Sequence, residues 1–175
     1  MLWVRAFAKL YNPEMAVRVL KTLKDRGYGA ALCMVGPDSD GTLSKVQQLA
    51  TDLNVEVAFT GKLTKAEWIE RSKSYNVFIN TTNFDNTPLS VIEAMALGLP
   101  VVSTNVGGMP FLIKDQEQGL LVPPNDVNAM AEAIVQLFEF PEQREAMIAN
   151  ARQLAETFDW QKVKTSWEVV IHQKY

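Results

Sequence analysis

With 175 residues, 47% of them hydrophobic and 21% charged, the chain has the composition of one globular domain, long enough to bury a full core. A net charge of −3 excludes a nucleic-acid binder that relies on overall positive charge. One cysteine (Cys33) and one histidine (His172) exclude an internal disulfide and any zinc site or catalytic dyad built on several such side chains. No apolar run nears the ~20 residues of a membrane helix and no signal peptide opens the sequence, so a cytoplasmic setting is the expectation.

In chain order, "MLWVRAF" reads as a buried strand that starts almost at the first residue, as if a longer parent preceded it. Asn12 then caps a helix with Pro13 at its first position and Glu14 in its first turn; Ala16, Val17, Leu20 and Leu23 stripe it, and "DRGYG" ends it. "AALCMVG" is a second strand, with Cys33 as a small buried side chain. "PDSDGTLS" is a loop whose acidic triplet serves solubility, and Leu43, Val46, Leu49, Ala50 and Leu53 mark a second helix. "VEVAFTG" is a third strand, and Thr64 with Glu67 forms a capping box at the head of a third helix. "NVFINT", "PVVST" and "GLLVPP" are further strands. Asp126 caps a helix striped by Met130, Ala133, Ile134, Leu137 and Phe138, and two more helices run from Pro141 to Thr157 and from Trp160 onward. Trp3, Trp68, Trp160 and Trp167 are all expected in core or helix-packing roles. Mostly uncharged strands alternating with amphipathic helices predict a doubly wound, Rossmann-like α/β domain with a parallel sheet, in one unit over 1–175.

In such sheets ligands bind beyond the carboxyl ends of the strands. The loop after the fourth strand, "NTTNFDNTP", is the most telling. With Thr87 as N-cap and Pro88 at the first helical position, the free N–H groups of Leu89 and Ser90 and the Ser90 hydroxyl form an anion-attracting helix end. Glu93, a turn later, suits sugar hydroxyls better than phosphate. The plainer reading, that Thr87 and Glu93 only cap and solubilise a helix, stands beside it. Neither the G-x-G-x-x-G fingerprint nor a P-loop is present.

The stretch "FDNTPLSVIEAMALGLPVVSTNVGG", followed by "GLLVPPNDVNAMAEAIVQLF" and "REAMIANARQLAETFDWQKV" and preceded by "MVGPDSDG" and "VEVAFTGKLTKAEW", resembles the C-terminal, donor-binding half of GT-B glycosyltransferases of the retaining, family 4-like group (glycosyl transferases group 1). The resemblance covers essentially the whole chain. It implies a nucleotide-sugar-binding domain of an enzyme that moves a sugar from a nucleoside diphosphate, of the UDP or GDP type, to an acceptor hydroxyl. It implies no cofactor and no metal, an N-terminal acceptor-binding domain of the same parent as partner, and peripheral membrane contact only by way of that parent. The helix from about residue 160 would pack on the absent domain, and the isolated chain would bind nucleotide weakly without appreciable transfer.

Residue by residue, the family's two glutamates with seven residues between them fall on Asp85 and Glu93. Glu93 would hold the donor's ribose, and Asp85, one methylene shorter than the usual glutamate, would contact the transferred sugar. Backbone donors for sugar and phosphate would come from Asn86, Thr87, Leu89 and Ser90. Arg5, and with a shifted spacing Lys9, would neutralise the diphosphate. Lys62 and Leu63 lie where the family packs its nucleobase, and Gly36 where backbone approaches ligand. A nucleotide-sugar 2-epimerase-like GT-B domain and a noncatalytic nucleotide-sensing or scaffold module are the alternatives.

Overall fold

The computed structural model describes residues 1–172. Strands β1 (Leu2–Val4), β2 (Leu32–Val35), β3 (Val57–Gly61), β4 (Phe78–Asn80), β5 (Val101–Thr104) and β6 (Leu120–Val122) form one sheet in the order β3-β2-β1-β4-β5-β6. Each neighbouring pair is parallel. The predicted doubly wound α/β architecture is therefore the observed one. Order along the sheet runs outward from β1 on one side and outward from β4 on the other, so the topological switch point lies between these two strands.

Helices α1 (Pro13–Asp25), α2 (Thr42–Asp52), α3 (Lys65–Ser72), α4 (Leu89–Ala96), α5 (Met109–Leu112), α6 (Val127–Glu139), α7 (Pro141–Ala155) and α8 (Trp160–His172) connect and cover the strands. Two apolar clusters form, one per face of the sheet. Trp3, Met34, Ile79 and Val102 point toward α1, α2 and α6, while Leu2, Cys33, Phe78 and Val101 point toward α3, α4 and α7. That split follows from the two-residue period of a strand, which sends successive side chains to opposite faces. No helix among the described residues is long and apolar enough to cross a membrane.

Local signals are honoured unevenly. Thr64 and Glu67 make the expected capping box on α3, and the Asp126 carboxylate accepts from the Ala129 N–H at the head of α6. Asn12 sits at the N-cap of α1 but in a left-handed conformation (φ 47°), and its side chain does not cap. Its amide instead donates to Asn125 Oδ1 at 2.9 Å and Asn83 Oδ1 at 3.4 Å. The acidic triplet does more than solubilise: Asp38 accepts from the N–H groups of Gly41 and Leu43, and Asp40 from those of Thr42 and Lys9. These carboxylates thus satisfy open donors at the head of α2, whose N-cap residue is a side-chain-less glycine.

Trp3 and Trp68 are core residues as expected, whereas Trp160 and Trp167 are 66% and 60% exposed. Both lie on α8, where Val169, Val170 and Ile171 are exposed as well. An amphipathic pattern shows that a helix has an apolar side; nothing among the described residues covers this one.

Candidate functional site

The carboxyl ends of β1 and β4 are adjacent, and the residues that follow them meet. Arg5 leaves the end of β1 and Asp85 lies in the loop after β4; their side chains form an ion pair, with 20% and 14% of each exposed. The Arg5 guanidinium also lies over the ring of Tyr11, 4.5 Å from its centroid. Burial pulls the Arg5 pKa below its ordinary value, with the Tyr11 charge working in the opposite direction. Arginine is protonated at any physiological pH regardless. The Arg5 Nε, although buried, has no hydrogen-bond partner.

Buried hydroxyls hold these loops together. The Trp3 indole N–H donates to Thr81 Oγ1 at 3.0 Å, and that hydroxyl donates to the Tyr11 carbonyl at 2.9 Å. Thr82 donates to the carbonyl of Phe84 (2.9 Å), and Thr104 donates to that of Thr82 (2.6 Å). The Asn83 N–H donates to the Leu10 carbonyl at 2.8 Å. Chain leaving a strand end loses its ladder partners, so Thr81 and Thr82 supply hydroxyl donors for loop carbonyls that the ladder no longer serves.

The loop after β5 clamps the Asp85 turn from the other side. Gly108 donates its N–H to the Asp85 carbonyl at 2.8 Å. A Cβ at Gly107 would overlap the Asp85 carbonyl, and one at Gly108 would overlap that of Asn86. Neither this glycine pair nor Tyr11 is among the site residues that sequence pattern singles out. Two adjacent glycines after a strand are nonetheless a local sign of close backbone approach, whereas nothing local marks Tyr11.

Helix α4 begins one residue later than predicted. Pro88, not Thr87, is the N-cap, with an extended ψ of 111° and no side-chain cap hydrogen bond. The ladder starts at its carbonyl, which accepts from Val91 at 3.0 Å and Ile92 at 3.4 Å. Proline carries no acceptor side chain, so the first N–H groups, those of Leu89 and Ser90, are left for something outside the helix. The Ser90 side chain lies in this first turn; the residue is 9% exposed and its Oγ has no partner. Thr87 and Asn86 are exposed, as is Leu89.

Glu93, one turn along α4, forms an ion pair with Lys65 in the first turn of α3. Sequence spacing does not point to Lys65; Lys62, in the preceding loop, is exposed and Leu63 is half-buried against the core. Lys9 is also exposed, tied down through its backbone N–H to Asp40 rather than through its ammonium. Gly36 does not face open space. A side chain there would overlap the carbonyl of Arg5, so its missing Cβ admits the Arg5 backbone rather than the ligand expected there.

The assembled groups are a fixed guanidinium, an uncapped helix end with an unpartnered buried hydroxyl, and carboxylates on either side. Such a set can hold an anion through Arg5 and α4 and polar hydroxyls through Glu93. An apolar hollow of about 430 Å³, lined by Leu23, Tyr28, Val77 and Phe138 among others, lies at the amino ends of β1, β2 and β4, the opposite end of the strands, and takes no part in this arrangement.

Comparison with known proteins gives the family of the chain and relatives of its fold. The chain is 30% identical over 156 residues to sulfoquinovosyl transferase SQD2 of Arabidopsis thaliana, covering 87% of this chain and 30% of that protein. It is 31% identical over 163 residues to D-inositol 3-phosphate glycosyltransferase of Streptomyces griseus, covering 86% and 34%. The chain thus spans about a third of the length of these relatives. Sucrose-phosphate synthase from Thermosynechococcus elongatus superposes with a TM-score of 0.87 at 28% identity, over 98% of this chain and 44% of that one. Anabaena Alr3699/HepE, solved in complex with UDP, shares the fold with a TM-score of 0.87 at 18% identity, over 99% and 48%. The family model described as glycosyl transferases group 1 matches residues 1–154, and this chain belongs to that family.

Proposed function

We propose that the chain is the donor-binding domain of a retaining glycosyltransferase that transfers a sugar from a nucleoside diphosphate to an acceptor hydroxyl. The observation that carries this reading is the enclosed Arg5–Asp85 pair at the switch point, in the same loop that runs three residues on into the uncapped end of α4 with its unpartnered Ser90 hydroxyl. Loss of a nucleoside diphosphate leaves negative charge on the departing oxygen. Preorganised donors aimed at that oxygen stabilise the transition state more than the ground state. In this reading Arg5, with Lys9 at the rim, and the N–H groups of Leu89 and Ser90 meet the diphosphate. Asn86 and Thr87 contribute backbone donors, Glu93 accepts from the ribose, Asp85 serves the transferred sugar, and Lys62 and Leu63 border the base. The UDP bound by the structural neighbour supports a uridine nucleotide as the first to try. Acceptor binding belongs to the part of the relatives' length that this chain does not span, and the exposed apolar side of α8 suits contact with it.

The experiment is a thermal-shift series with UDP, GDP and ADP on the wild type and on Glu93→Ala. At a hundredfold excess over Kd a ligand stabilises by about 2.7 kcal/mol. The expected result is a nucleotide-dependent rise in Tm that Glu93→Ala removes or sharply reduces. No response to any of the three nucleotides would refute the donor-site reading.

A further inference from the structure

We propose that Asp85 is the internal counter-ion of Arg5, and that a donor diphosphate binds by displacing it, one anion exchanged for another on the same guanidinium. This rests on the reading of the mouth as a donor site and adds the order in which its groups engage. Among the described residues the Arg5–Asp85 pair is the ion pair with both side chains most enclosed; the other pairs leave at least one side chain half exposed or more. A charge pair so enclosed is screened little by solvent, so its carboxylate competes effectively with an incoming phosphate.

The surroundings let the carboxylate leave without disturbing anything else. The Asp85 backbone is clamped by the Gly108 N–H and by the close approach of Gly107, so the exchange is a side-chain rotation. Arg5 is held independently: Tyr11 lies under its guanidinium and Gly36 packs on its carbonyl. Its Nε and the Ser90 hydroxyl are buried donors without a hydrogen-bond partner, and Asp85 Oδ2 is a buried acceptor without one. Once displaced, the Asp85 carboxylate is free to accept from hydroxyls of the transferred sugar. Sugar recognition through Asp85 then follows diphosphate binding and is not offered to a free sugar. Asp85 acts on phosphate affinity through Arg5 and is in that respect a positioning residue.

The test is calorimetric titration of inorganic pyrophosphate and of UDP into the wild type, Asp85→Asn, Arg5→Gln and the double variant, with Tm measured for each. Asp85→Asn should tighten pyrophosphate on the order of fivefold, as removal of a competing paired charge does. In the Arg5→Gln background the same substitution should change affinity less than about twofold. Where the asparagine variant folds poorly, Asp85→Ser serves in its place. Unchanged or weaker binding by folded Asp85→Asn overturns the proposal and leaves the donor site standing, as does equal tightening with and without Arg5, which would mark a general charge effect. Absence of UDP and pyrophosphate binding by all four proteins, together with no response of the wild type to GDP or ADP in the thermal-shift series, overturns the donor-site reading and this proposal with it.

Discussion

Gly108→Ala isolates the contact that holds the Asp85 turn. Gly108 has φ −82° and ψ −5°, a conformation open to any residue, so alanine brings no backbone strain there. What it brings is a methyl group overlapping the Asn86 carbonyl, with the Asn86 carbonyl carbon at 2.7 Å and its Cα at 3.0 Å. All three atoms are backbone, so no side chain can swing away and the loops must separate. Overpacking of this kind costs about 1–3 kcal/mol, and the 2.8 Å hydrogen bond from Gly108 to Asp85 adds ~0.5–1.5 kcal/mol if it is lost. The sum, roughly 1.5–4.5 kcal/mol, corresponds to a fall in Tm of about 3–18 °C for a domain of this size.

Two controls separate sterics from backbone conformation. Gly29 has neither a positive φ nor any atom within 4 Å of where an alanine methyl would lie, and Gly41 has φ 78° with nothing within 4 Å. Gly29→Ala should be neutral or slightly stabilising, and Gly41→Ala should cost the ~1–2 kcal/mol of left-handed strain. Urea unfolding and thermal scans of the three variants supply the comparison. In Gly108→Ala the UDP-induced rise in Tm should shrink too, because the turn carrying Asp85 and Asn86 has moved. Were Gly108→Ala to melt within about 1 °C of Gly29→Ala, the clamp would be no constraint and the case for a rigid Asp85 backbone would fail.

Ser90→Ala removes a buried hydroxyl without a partner, a group whose desolvation costs ~1–3 kcal/mol when unsatisfied. The free protein should therefore melt at the same temperature or higher while nucleotide affinity drops; a destabilised variant with intact affinity would show that the hydroxyl serves the fold. Asp40 carries a lowered pKa, chiefly through its hydrogen bond from the Thr42 hydroxyl and then from the Lys9 N–H. A folded value below the unfolded one, about 3.9, means its contribution is complete above that value and is lost as pH falls through the folded value. Melting curves from about pH 2.5 to 6 should show the wild type above Asp40→Asn by a constant margin at the upper end and the gap closing in acid. A gap that stays constant to the lowest pH would remove Asp40 from the ties between α2 and the Lys9 turn.

Much of the chain's order can be read along its length, because the signals are local. The alternation of apolar strands with striped helices, the Thr64–Glu67 box and the Asp126 cap each depend on neighbours within a turn or two. The helix after β4 and its acidic residue are legible for the same reason. Its starting residue is not: Thr-Pro fits either of two adjacent registers, and the extended ψ of Pro88 chose the later one.

What only the tertiary structure decided is which loops face each other. Strand order is a property of the whole sheet, and the adjacency of β1 and β4 is what brings Arg5 onto Asp85 and Tyr11 beneath it. The adjacency of β4 and β5 sets Gly107 and Gly108 against the Asp85 turn, and the lie of α3 beside α4 gives Glu93 its partner in Lys65 in place of the nearby Lys62. The exposed tryptophans of α8 belong to the same class, since periodicity reveals an apolar side and only packing reveals whether anything covers it. Residue type and spacing were enough to say that this chain builds a Rossmann-like sheet, and to raise the head of α4 as a proposed anion-attracting mouth. The pairing of that mouth's cation with its own carboxylate came from folding alone, because long-range contacts leave no period in a sequence.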